Sequence, residues 1–340
     1  MQKKRIIMVF LLVIIVILVT ISYKDLSNAD TQYYAWPLGT ASPEDTVTNI
    51  FARKFAQEVN ELSDGKMKIE VYGNSVIGTD RELLESCKNG DIPFVAQNTA
   101  PQVTFMPEIA VFDIPSAFSS IDEVRATVDN QEFNNYIQEV YQKAGYKLLA
   151  FADQGFRVMT TNKRIDKLAD FNGLKIRTMG NTYHLAFWKS LGANPTPMSF
   201  SEVYIGLQQG TIDAQENPYE VIASSKLYEQ QKYLVKTNHL PHLISLIVSD
   251  EFYQGLPADE QKIIDKAAKI AQLYARQTSD QRIESKLKLI EEKGTEVIEV
   301  SDELYKEINE RSIPVYEKIR NEIGDEVTGL YIKESKNYHQ

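Results

Sequence analysis

The amino-acid sequence predicts an α/β fold in two lobes, and three observations carry that prediction. Strand-like and helix-like segments alternate from Thr31 onward, the alternation breaks once around Tyr146–Thr161 and then resumes, and 340 residues suffice for two domains of ordinary size. The first β-α-β unit is explicit. TQYYAWPL is β-branched and aromatic, the next segment sets Val47, Ile50, Phe51, Phe55 and Val59 at helical spacing and stops at Gly65, and KMKIEVY alternates as a half-buried strand. Asp80–Asn89 reads as a second helix ended by Gly90, and IPFVAQ as a third strand.

Tyr146–Phe151 and Phe156–Thr161 read as two strands flanking a bend at Asp153-Gln154-Gly155, a place for the chain to pass between lobes. Beyond it the logic repeats. GLKIRTM is a strand, YHLAFWKSLG a helix ended by Gly192, NPTPMS a turn, and FSEVYIGLQQG a helix capped by Ser199 or Ser201. TIDAQENPYEVI is a strand entering a loop, HLISLIVSD another strand, and Asp259 to about Glu292 a long helix.

Composition narrows the function. With 43% hydrophobic and 25% charged residues the chain builds an ordinary core, and a formal charge of -10 with no basic block beyond the first few residues excludes a nucleic-acid partner. The N-terminus departs from this pattern: MQKKR is basic, and Ile6–Ile21 is apolar apart from Thr20. Such a run makes about 24 Å of helix against a hydrocarbon core of about 30 Å, and Ser27-Asn28-Ala29 offers small residues to a signal peptidase. Residues 1–29 therefore read as a signal peptide, with a retained N-terminal anchor as the other reading, and the body as periplasmic or otherwise extracytoplasmic. The lone Cys87 excludes an intramolecular disulfide and reads as a buried thiol.

No G-x-S-x-G elbow, Walker loop, G-x-G-x-x-G or H-E-x-x-H is present, so no catalytic residue and no cofactor are expected. His239 and His242 have i, i+3 spacing, but Pro241 breaks the helix a metal pair needs, so no metal is expected and His242 reads as a single histidine lining a polar cleft. Tyr183, Phe187 and Trp188 read as core. Arg177 is the anomaly. A guanidinium at the end of a buried strand needs a counter-charge, either an internal Asp or Glu or an anion from outside.

Four segments in order, GTDRELLESCKNGDI, GFRVMTTNKRI, FNGLKIRTM and LGANPTPMSFSEVYIGLQQGTIDAQENP, resemble the solute-binding proteins of tripartite ATP-independent periplasmic (TRAP) transporters of the DctP type, and the likeness covers essentially the whole mature chain. The resemblance implies a periplasmic-binding-protein-like fold with an interdomain cleft and a long C-terminal helix bridging the lobes. One lobe would comprise residues 30–154 with about 243–282, the other 155–242 with about 283–335. It implies that Arg177 pairs with a ligand carboxylate, that Arg157 is a second cationic contact, that Asn217 donates to the same carboxylate or holds Arg177, and that Phe200 packs against the ligand. From the first lobe Asp80, Gln97 and Asn98 would reach ligand hydroxyls, against local readings of a helix N-cap for Asp80 and turn amides for the other two, with Tyr34, Trp36 and Ser42 on the same side. The chain would be a monomeric, non-enzymatic binder that captures a small carboxylate and delivers it to TRAP membrane subunits. A uronate or aldonate is expected ahead of a C4-dicarboxylate, with keto or amino acids third. The alternatives are an exported α/β hydrolase or lyase acting through Asp80, His242 or Cys87, and a membrane-anchored acid sensor.

Overall fold

The computed structural model describes residues 35–333 and 335. The expectations for residues 1–29 and Tyr34 lie outside them. Among the described residues nine strands form one sheet, and eleven α-helices cover it. The strands are β1 (Ala35–Gly39), β2 (Lys68–Tyr72), β3 (Phe94–Asn98), β4 (Tyr146–Thr161), β5 (Lys175–Thr178), β6 (Asn194–Pro197), β7 (Ala214–Asn217), β8 (Tyr233–Ser249) and β9 (Glu296–Ile298). Their order is β2-β1-β3-β8-β4-β7-β5-β6, with β9 on β8.

Two lobes emerge because β1, β2 and β3 are mutually parallel at one end of this order while β5, β6 and β7 are parallel at the other. The long antiparallel pair β4 and β8 runs through both. The predicted bend at 153–155 is thus an irregularity within one 16-residue strand: the register with β8 shifts between Asp153 and Phe156, Gly155 has φ +76°, and Phe156 faces Pro241. Pro241 is tolerated inside a central strand because the irregular pairing asks no N–H of it. NPTPMS, expected as a turn, begins as β6. Pro195 and Pro197 cannot donate to a ladder, and β6 is the last strand of the order, so only one side needs pairing.

The helices are α1 (Val47–Leu62), α2 (Asp80–Lys88), α3 (Ile121–Asp129), α4 (Gln131–Lys143), α5 (Thr182–Ser190), α6 (Val203–Gln208), α7 (Tyr219–Ser224), α8 (Asp250–Gly255), α9 (Ala258–Glu292), α10 (Asp302–Ile323) and α11 (Asp325–Ile332). α1 buries Val47, Phe51, Phe55 and Val59 against Leu38, Phe94 and Leu246, together with the first half of α9 through Ile264, Ala268 and Ala271. Further along, α9 places Ile290 in a second core with Val158, Val203, Ile222 and Leu234. One 35-residue helix therefore spans both lobes, and the small residues Ala267, Ala268, Ala271 and Ala275 let it lie close to α1. Residues 325–333, grouped on sequence with the second lobe, pack on the first: Tyr331 meets Phe112, Phe118 and Phe133.

Asp45 and Glu220 tie the lobes at one side. Asp45 accepts from Arg282 at 2.6 Å and Lys286 at 2.5 Å on α9, and its carbonyl accepts from Ser224 on α7. Glu220, also on α7, accepts from Arg282 and from the first amide of α1, Val47 N, at 2.7 Å. Thr46, the α1 cap residue, spends its hydroxyl on Pro43 O, so this helix takes its capping oxygen from the opposite lobe.

Candidate ligand-binding site

The carboxyl ends of the parallel strands from both lobes point at one cleft, where open α/β sheets place ligands. Its outer part, of about 370 Å³, is lined by Ala41, Ser75, Asp80, Arg177, Met198 and Phe200 among others. A narrower recess continues between Ser42 and Pro43 of the first lobe and Asn217, Val221 and His242.

Arg177 sits on the wall of both parts with its residue surface only 2% exposed. Its Nε and Nη2 donate to the carbonyl of Met198, at 3.0 and 2.7 Å, and its guanidinium lies 5.8 Å from the centre of the Phe200 ring. Among the described residues no carboxylate comes within 4.0 Å of it, and Nη1 has no hydrogen-bond acceptor. Burial, only partly offset by the more distant Glu216, pushes its pKa down to about 10. The internal counter-ion that the sequence left open is absent here, and the cation faces the cleft unneutralised.

Arg157 is placed otherwise than a second cationic contact on the cleft wall would be. Its guanidinium is buried beneath the cleft, clasping Glu216 through Nε and Nη2, donating also to Glu216 O at 2.9 Å, to Asn217 Oδ1 at 3.2 Å and through Nη1 to His242 Nδ1. It does not line the cleft. Asn217 does, but its amide joins Arg157 and Gln215 Oε1 (2.7 Å), so it does not hold Arg177. Because Arg157 can only donate, the His242 imidazole accepts at Nδ1 and carries its proton on Nε2. Burial and the adjacent Arg157 hold its pKa well below the usual range, leaving it neutral.

From the first lobe, Asp80 lines the cleft but is not the helix cap. Thr79 caps α2, in a reciprocal box with Glu82, which leaves the Asp80 carboxylate without a hydrogen bond or ion pair among the described residues. Burial lifts its pKa to about 6 against the pull of Arg177 and Arg157. Its position follows from close packing: a Cβ on Gly39 would come within 2.4 Å of Leu83, so α2 rests directly on the end of β1. Asn98 lines the recess, yet its amide is used locally, donating to Leu243 O and accepting from Ala100 N, both at 3.0 Å. Gln97 is buried off the cleft wall, with neither amide atom partnered among the described residues. Trp36 packs on Phe94 and Phe252 in the core. Met198, which orients Arg177, was not anticipated, although it directly follows the proline pair that makes β6 an edge.

Behind Arg157 lies a buried chain of charges. Glu216 accepts from His239 Nε2 at 3.2 Å and lies 3.9 Å from His184 Nδ1, while His184 Nε2 meets Asp113 Oδ1 at 2.9 Å. Asp113 also accepts from Asn181 at 2.6 Å. Burial alone would lower the His184 pKa, but Asp113 and Glu216 outweigh it and raise it to about 9. A histidine raised in the folded state adds stability that is complete below its unfolded pKa, near 6.5, and is lost as the pH climbs through about 9. Urea melts are expected to show stability declining across that window, with the decline removed in His184→Gln.

Two lobes around a cleft, strand ends converging on a buried cation without a counter-ion, and one helix spanning both halves define a periplasmic-type solute-binding protein. The comparisons identify which kind. Residues 38–322 match the family model DctP, "Bacterial extracellular solute-binding protein, family 7", and the chain belongs to that family. It is similar to the sugar acid binding protein DctPAm of Advenella mimigardefordensis in complex with galactonate (TM-score 0.86, 33% identity, 91% of this chain and 99% of that one). It is also similar to a TRAP periplasmic solute-binding protein of Polaromonas sp. JS666 bound to D-erythronate (TM-score 0.83, 32% identity, 89% and 99%). The 2,3-diketo-L-gulonate-binding periplasmic protein YiaO of Escherichia coli K12 is 30% identical over 74% of this chain and 76% of its own. This is a family of TRAP solute-binding proteins for sugar acids and organic acids that works with TRAP membrane subunits in the periplasm. Among the described residues no helix is long and apolar enough to cross a membrane.

Proposed function

We propose that this chain captures a sugar acid by pairing its carboxylate with Arg177, closes its lobes over it as a monomer, and hands it to the membrane subunits of a TRAP transporter. The observation that carries the proposal is a desolvated guanidinium on the cleft wall with donors to spare and no carboxylate within ion-pair distance. A ligand carboxylate supplies the missing acceptors, in the bidentate geometry that a guanidinium favours. Arg157, Asn217 and His242 then act as the rigid floor. The cleft has room for a small acid, and its hydroxyl-bearing lining (Ser75, Thr79, Thr104, Ser199) suits a hydroxylated one. The sugar acids bound by the galactonate and erythronate neighbours favour the same class.

Lobe movement would centre on the irregular pairing of Asp153–Phe156 with the strand around Pro241, where the ladder is weakest, which supports lobe boundaries near 154 and 242. The enzyme alternative finds no support in the geometry. Of the residues it named, Cys87 is buried in α2 with its thiol pKa pushed up and His242 is pinned neutral under Arg157, which leaves the cleft carboxylate Asp80 without either as a catalytic partner and supports binding over turnover. A thermal-shift screen of the exported protein against aldonates, uronates, C4-dicarboxylates, keto acids and amino acids tests the reading. An aldonate or uronate is expected to give the largest rise in melting temperature. No response to any carboxylate would overturn it.

A further inference from the structure

We infer that Gln154 is a positioning residue: at the pivot between the lobes its amide bonds His242, in the recess, on one side and Glu220, in the tie between the lobes, on the other, so that the set of the recess and the contact of the lobes hold or fail together. The inference rests on the lobe-closure reading above and names the side chain through which closure reaches the recess. Gln154 is 2% exposed and lies in the irregular stretch of β4, where the register with β8 shifts between Asp153 and Phe156. It does not line the cleft, and a buried primary amide needs partners for its donors and its acceptor.

Which way that amide faces follows from Arg157. A guanidinium only donates, so Arg157 Nη1 fixes His242 with Nδ1 as acceptor and the proton on Nε2. One terminal atom of the Gln154 amide lies 3.2 Å from His242 Nε2, and that atom is therefore the oxygen. The nitrogen then donates to Glu220 Oε2 at 3.3 Å. Turned over, the amide would offer its oxygen to Val47 N and Thr48 N at 3.0 and 3.2 Å, but it would set N–H against N–H at His242, and Val47 N already has Glu220 at 2.7 Å. A continuous chain results, from Arg157 through His242 and Gln154 to Glu220. One end lies at the recess, which His242 helps to line, and the other is the carboxylate that meets Arg282 on α9 and the start of α1 from the opposite lobe. With lobe boundaries near 154 and 242, Gln154 closes the first lobe's share of β4 while His242 and Glu220 belong to the second. Both of its bonds then cross the boundary, and parting the lobes loosens them together.

The test reads a ring proton that a general loss of stability does not single out. Nuclear magnetic resonance of the exported protein with 15N-labelled histidine detects the Nε2–H of His242, identified by its loss in His242→Gln. At about pH 7 the wild-type ring is expected to be neutral, with its proton on Nε2 slow to exchange with water and slower still in saturating D-galactonate. In Gln154→Met the exchange quickens by about tenfold or more, and in Glu220→Met, at a residue the ring does not bond, by about threefold or more. Glu220→Gln keeps an acceptor oxygen for the Gln154 amide and stays within about twofold of wild type. Circular dichroism verifies each fold, and Asp129→Asn, which breaks an ion pair to Arg276 away from this chain, leaves the signal unchanged. A proton on Nδ1, a His242 signal indifferent to Glu220→Met, or equal slowing by D-galactonate in wild type and Gln154→Met overturns the inference, and the Glu220 variants decide it alone if Gln154→Met does not fold. If the signal is indifferent while Arg177→Ala abolishes D-galactonate binding, the inference falls and carboxylate capture stands. If D-galactonate does not bind wild type, capture of that acid is what fails, and the ligand-free exchange rates still decide the role of Gln154.

Discussion

Arg177→Ala loses about two to four decades of ligand affinity, equivalent to about 3–5 kcal/mol. The size follows from where the cation sits. On a solvated surface an ion pair contributes at most about 1 kcal/mol, but Arg177 has already given up its water on folding, at 2% exposure, and has only one carbonyl in return. The ligand carboxylate therefore recovers a cost that the fold has prepaid. The apo protein should gain from the substitution, because removing an uncompensated buried charge relieves the strain that drives the guanidinium pKa down to about 10. Arg177→Lys keeps the charge but cannot hold Met198 O and present two parallel donors at once, so it should recover only part of the affinity. Calorimetry with the best ligand of the thermal-shift screen measures both, and an unchanged dissociation constant in Arg177→Ala would remove the anchor role.

The largest stability effect is expected at Glu216. Substitution by alanine should cost about 3–5 kcal/mol in urea unfolding, because it leaves Arg157, 1% exposed, and the charged His184 without their shared partner. Burial opposes the negative charge on Glu216, but Arg157, His184 and His239 override it and hold the pKa well below 4.5. For a carboxylate depressed in this way the stability is in place above the unfolded pKa and is lost as the pH falls through the folded one, so the Glu216 contribution should decline from about pH 4.5 downward and be gone only well below it. The paired replacement Arg157→Met with Glu216→Leu should be far milder than Glu216→Ala, since two neutral side chains carry no desolvation penalty. Equal losses in the two variants would mean that the ion pair has no special weight.

These two arginines show how far local sequence reaches. Both sit on strands that are recognisable from their apolar patterns, and both were assigned to the ligand. Their difference lies in a contact 59 residues away in the chain, Glu216 beneath Arg157, that no spacing rule reports. The same holds for Asp80 and Thr79: a cap was foreseen at the start of α2, but which of two adjacent residues would provide it depended on a reciprocal bond to Glu82. Helices with strong apolar periodicity, such as α1 and α9, were legible throughout. β6 was not, because its prolines signal a turn by composition and become an edge strand only when β5 runs alongside. The long crossing strands β4 and β8 were read as shorter pieces, since bulges and Pro241 interrupt the local pattern without ending the strand.

The capping of α1 by Glu220 makes the first turn of that helix depend on the opposite lobe. Val47 N owes its acceptor to a carboxylate that belongs to the other half of the molecule, so whatever parts the halves strips that amide of its partner and lets the first turn fray. Its exchange with deuterium should therefore keep time with the jaws: rapid while they gape, slow once a meal has shut them. A single backbone hydrogen would then act as a position gauge for the proposed closure.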